Sequence, residues 1–62
     1  MTLGKAWFTP QEAASMFGVE VSLILKWVDE GLVRSESTDG RVTHINIDDL
    51  KLEVEAFVKK GG

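Results

Sequence analysis

The chain has no cysteine and no tyrosine, a single proline and a single histidine. Without cysteine there is no disulfide and no thiolate zinc site, so packing alone must hold the fold. The lone His44 cannot build a metal site by itself, and no metal or cofactor is expected. Basic residues are scarce as well. Seven Lys and Arg stand against ten Asp and Glu, giving a net charge of −3. That balance argues against a generic DNA coat, because phosphate binding is driven by Lys and Arg. It still permits a small basic face on an acidic body. No apolar run approaches the ~18 residues of a membrane span. The opening MTLGKAW lacks the apolar core of a secretory signal. A cytoplasmic protein of bacterial type with no membrane contact is expected, and the missing thiols fit a reducing compartment.

What is present suffices for one small core. Sixty-two residues make one domain, residues 1–62, with an ordered core expected over about 8–59. A chain this short buries only ~60% of the surface it exposes when unfolded. The 44% hydrophobic content, with Trp7, Phe8, Phe17, Trp27 and Phe57, makes that core feasible and disorder unlikely.

Local signals place the elements. Residues 1–7 read as a leader that packs through Trp7 or frays. Thr9 is a good N-cap, Pro10 suits the first helical position, and Glu12 completes a Thr9-x-x-Glu12 capping box. A helix over Pro10 to Phe17 follows, with Ala13, Met16 and Phe17 on one face. Gly18 permits a sharp turn. A second helix spans Val21 to Glu30 and stops at Gly31. Its inward stripe is Val21, Ile24, Trp27 and Val28; Ser22, Lys26 and Asp29 face outward. Leu23 and Leu25 fall on the flanks, each expected to be at least half exposed.

Asp39-Gly40 between two β-prone runs is a hairpin signal. Strict alternation would put Thr43, Ile45 and Ile47 on one face and Val42, His44 and Asn46 on the other. Asp48 then caps a third helix over Asp49 to Lys59, with Leu50, Val54, Phe57 and Val58 as its core stripe. The fold class is therefore mainly α with a small β-hairpin. Its order of helix, turn, helix, wing, helix is that of a winged helix-turn-helix.

The segments FTPQEAASMFGV, LILKWVDEGL and TDGRVTHINIDDL carry a family likeness. Over about Phe8 to Phe57 the chain resembles the small excisionase-like DNA-binding domains, which are similar to the N-terminal domains of MerR-type regulators. The resemblance implies a sequence-specific DNA-binding protein, a transcriptional regulator or an excisionase-like architectural factor. Helix 21–30 would read the major groove. The wing over 34–46 would touch phosphates or an adjacent minor groove. Ser22 and Lys26 would face the groove, Arg34 and Arg41 would flank the wing, and His44 is a further candidate. Gln11, near the N-terminus of the first helix, would donate to a phosphate. The partner is double-stranded DNA, bound as a homodimer or a cooperative oligomer, because one domain with few cations contacts little DNA. Family members commonly carry Arg, Thr or Ser where this chain has Val21, Leu23 and Leu25. Glu20 and Asp29 on the second helix would repel phosphate.

The alternative is a protein-interaction module of the same fold that binds or inhibits a regulatory protein. Leu23, Leu25 and Leu52 would form its interface. No enzyme is expected. One His, no Cys and unpaired serines make no nucleophile system, and no Gly-rich phosphate loop is present. A domain of this size also leaves little room for a substrate pocket of a few hundred cubic ångströms, so no small-molecule ligand is expected.

Overall fold

In the computed structural model, which describes residues 6–61, three helices pack with a three-stranded antiparallel sheet. The order is β1 (Trp7–Phe8), α1 (Pro10–Phe17), α2 (Val21–Asp29), β2 (Ser35–Thr38), β3 (Arg41–Asn46) and α3 (Ile47–Lys59). No helix among the described residues is long and apolar enough to cross a membrane.

Strand β3 is central, and the sheet order is β1-β3-β2. The sequence reading expects only a hairpin, with everything before Phe8 as leader. Instead, Trp7 pairs with Asn46 and Phe8 with Ile45. The Ile47 N–H also donates to the Ala6 carbonyl at 2.8 Å. A strand this short has no readable alternation, which is why it escapes the pattern. The part of the expected leader over residues 1–5 lies outside the described residues.

The first helix begins as read. The Thr9 hydroxyl accepts from the Glu12 N–H at 3.1 Å, and the Glu12 carboxylate accepts from the Thr9 N–H at 3.0 Å. Pro10, Ala13 and Ala14 are buried. Met16 is not on the core face as expected; it is 54% exposed. Small alanines let α1 approach its neighbours closely, and the wide Met side chain falls on the rim.

Helix α2 buries Ile24 and Trp27, and Val21, Leu23 and Val28 pack partly against the same core. Its end is a Schellman closure. Gly31 donates to the Val28 carbonyl and Leu32 to the Trp27 carbonyl, both at 3.0 Å. The closure requires a left-handed residue at Gly31, which has φ 82°. It also turns Val33 inward, where only 2% of it stays exposed.

The Asp39-Gly40 turn has positive φ at both residues, 52° and 76°. That matches the twist of a tight two-residue hairpin. Simple alternation fails two residue pairs later. The register shifts between Glu36 and Ser37, so that Glu36 faces His44 while Ser37 faces Val42. Thr43 takes up the slack and donates its hydroxyl to the Glu36 carbonyl at 3.3 Å. This bulge lets Val42 and Ile45 both reach the core, although strict alternation would put them on opposite faces.

The third helix starts two residues earlier than the Asp48 cap suggests. Asn46 is the N-cap, and its Oδ1 accepts from the Asp49 N–H at 2.9 Å. Asn46 is 5% exposed, so its cap is screened from water. Leu50 and Val54 are buried. Trp27 meets Phe57 edge to face, with ring centroids 5.8 Å apart. Val58, expected in this stripe, is 65% exposed because the last turn runs past the core.

Candidate nucleic-acid interface

Burying Ile24 and Trp27 forces the opposite side of α2 outward. Ser22, Leu25, Lys26 and Asp29 are all exposed there and form a ridge. An open groove runs along each flank. The first, about 490 Å³, lies between α2, the N-terminal turn of α1 and the hairpin tip. Gln11, Leu25, Asp29, Arg41 and Thr43 line it. The second, about 570 Å³, lies on the other flank, and Ser22, Leu23, Lys26, Glu20 and Phe57 line it. Chain length suggests no clefts of this volume. They exist because they are open to solvent and need no enclosing wall.

The cations do not gather into one patch. Lys26 and Arg41 line different grooves, one on each side of the ridge. Among the described residues neither is in an ion pair. Arg34 has a different task from the one expected. Its Nε donates to Asp49 Oδ2 at 2.8 Å and its Nη2 to Asp49 Oδ1 at 3.2 Å. The Arg34 backbone N–H donates to the same carboxylate at 3.1 Å. This fork neutralises the guanidinium and joins the base of the hairpin to the start of α3. The side-chain bonds from Arg34, and then its backbone N–H, hold the Asp49 carboxyl below the ordinary carboxylate range. Partial burial pulls weakly the other way. The same hydrogen bonds, then the Asp49 charge, raise the Arg34 pKa.

His44 is also compromised as a phosphate contact. Its Nδ1 lies 3.9 Å from Glu36 Oε1 across the hairpin, so any positive charge on it meets an acid first. Gln11 is exposed in the first groove, beside the first turn of α1. Ser22 is exposed as expected, with its hydroxyl 3.5 Å from a Glu20 carboxylate oxygen.

The apolar candidates separate in the same way. Leu23 is half-buried, packed against the core and turned into the second groove. It does not offer the open leucine expected. Leu25 lies on the ridge beside the first groove and is 38% exposed, less than the half expected, because that groove's wall covers part of it. Leu52, 65% exposed on α3, lines neither of these grooves. The three leucines therefore do not make one interface.

Sequence reading missed the Asp49 partner of Arg34. The pair is 15 residues apart, and both positions already had local explanations, as wing cation and helix-start acid. Among the described residues no cluster of acids and histidine suits a metal ion. No protein-family model, curated protein or solved structure matches the chain.

Proposed function

We propose that the protein is a winged helix-turn-helix that binds duplex DNA, with α2 in the major groove and the hairpin tip on the adjoining backbone. One observation carries this reading. The exposed ridge of α2, the N-terminal turn of α1 and residues 40–43 at the hairpin tip border a single groove. An α-helix fits a major groove ~12 Å wide, which leaves a phosphate strand on either side of it. The single positive face expected of Lys26, Arg34 and Arg41 is not formed; Lys26 on one flank of the ridge and Arg41 on the other leave one cation for each of those strands. With one described cation on each flank of the ridge and an acidic body, each domain binds weakly. Neighbouring copies on adjacent half-sites supply the affinity. The role follows as a sequence-specific regulator or an architectural factor. Fluorescence anisotropy with short duplexes at low and high salt tests the reading; the absence of any salt-sensitive binding overturns it.

A second reading is favoured by the neutralised Arg34 and the exposed Leu25. In it the same ridge docks a protein. It requires association that Leu25→Glu abolishes and that duplex DNA does not compete away.

A further inference from the structure

The ridge of α2 holds two residues that simple phosphate attraction does not explain, Leu25 and Asp29. An exposed leucine gains nothing from phosphate, and an exposed carboxylate is repelled by it. Both are exposed on the side of α2 that the proposed function turns to the major groove, Leu25 in mid-helix and Asp29 as its last residue, next to Ser22 and Lys26. The floor of that groove has two features that match them. The thymine C5-methyl is its apolar group, and the cytosine N4 amino group is a donor that carboxylates accept.

We infer that Leu25 and Asp29 are specificity residues: Leu25 packs on a thymine methyl, and Asp29 accepts a hydrogen bond from a cytosine amino group. This rests on the DNA reading and extends it to the bases. The structure selects Leu25 over Leu23. Leu23 is half-buried against the core and faces the second groove, whereas Leu25 stands on the ridge. Four residues of helix separate Leu25 from Asp29, a rise of ~6 Å. Base pairs rise ~3.4 Å along the duplex axis. The thymine and the cytosine therefore lie within about two base steps of each other, on either strand. Asp29 also gives a reason for the acid: it costs affinity for every phosphate and recovers it only where a cytosine amino group is in reach. An acid so placed rejects wrong sites, as a charge without a partner does elsewhere.

The test starts with selection from randomised duplexes at low salt using the full chain. The selected duplexes should share a thymine within two steps of a cytosine. Replacing that thymine by uracil removes only the methyl, and the affinity should fall about fourfold, as for one apolar carbon returned to water. The Leu25→Ala protein should bind the thymine and uracil duplexes equally well. Asp29→Asn should lose the preference for cytosine at its step. Leu25 and Asp29 are both exposed, so circular dichroism of the variants should match that of the parent chain. Three results overturn the inference and are distinct. If no duplex is enriched, the DNA reading itself fails. If duplexes are enriched but uracil binds as well as thymine, the Leu25 assignment fails while DNA binding stands. If the uracil effect persists undiminished in Leu25→Ala, another residue reads the methyl.

Discussion

Arg34 grips Asp49 through Nε and Nη2, at 2.8 Å and 3.2 Å, and its backbone N–H bonds the same carboxylate. Asp49 in turn donates its own N–H to Asn46, and the Asn46 N–H donates to the Arg34 carbonyl at 2.9 Å. These three residues close a loop of hydrogen bonds where the hairpin meets α3. The cation that the sequence suggests for DNA thus belongs to the scaffold.

A pH dependence follows. The Asp49 carboxyl is held below its ordinary value by Arg34. A carboxyl lowered on folding stabilises the protein above its unfolded pKa of ~3.9 and loses that contribution as pH falls through the folded value. The melting temperature of the parent chain should therefore decline below about pH 4. In Arg34→Ala the melting temperature at neutral pH should be lower and the acid decline shallower. Equal acid profiles would show that the pair does not form in solution.

The N-cap of α3 gives a sharper contrast. Asn46→Ala should cost about 1 kcal/mol or more, because it removes a cap in a buried setting. Asp48→Ala should stay within about 0.5 kcal/mol, as surface changes do. Urea unfolding of both variants decides which residue starts the helix. A larger loss at Asp48 would restore the cap that the sequence alone suggests.

Helix periodicity was legible where the pattern was strong. The bounds of α1, the stripe of Ile24 and Trp27 and the stop at Gly31 all follow from local chemistry. What failed had non-local causes. Trp7 becomes a strand residue only because β3 offers it an edge. Val42 reaches the core only because the bulge at Thr43 resets the register. Asn46 outcompetes Asp48 because β3 delivers it to the helix start. For the candidate site, the outward ridge of α2 was readable, but the fates of its cations were not. The Arg34 charge is paired with a carboxylate 15 residues away, and helical spacing contains nothing about such a pair.

Core substitution should be severe. Ile24 is fully buried. Truncating such a side chain to alanine costs ~2–5 kcal/mol. A domain of 62 residues has roughly 3–9 kcal/mol of stability in total. Ile24→Ala should therefore remove a large share of that stability and melt well below the parent, read by far-ultraviolet circular dichroism on heating. A variant that melts like the parent would contradict the packing described.

The ridge leucine separates the two functional readings. Leu25→Glu should leave the fold intact, since Leu25 is 38% exposed. Sedimentation velocity then reports association in the absence of DNA. Under the DNA reading the parent and variant sediment alike as free proteins, and only duplex binding weakens in the variant. Association of the parent that the variant lacks, undisturbed by duplex, would favour the protein-docking reading.

The most direct measurement is the salt dependence of duplex binding by the parent chain, Lys26→Ala and Arg41→Ala. Two flanking cations should give a slope of log affinity against log salt near −1.8 per bound chain, falling to about −0.9 in each variant with melting temperatures unchanged. A slope near zero, or one that neither substitution alters, would contradict the placement of α2 between two phosphate strands.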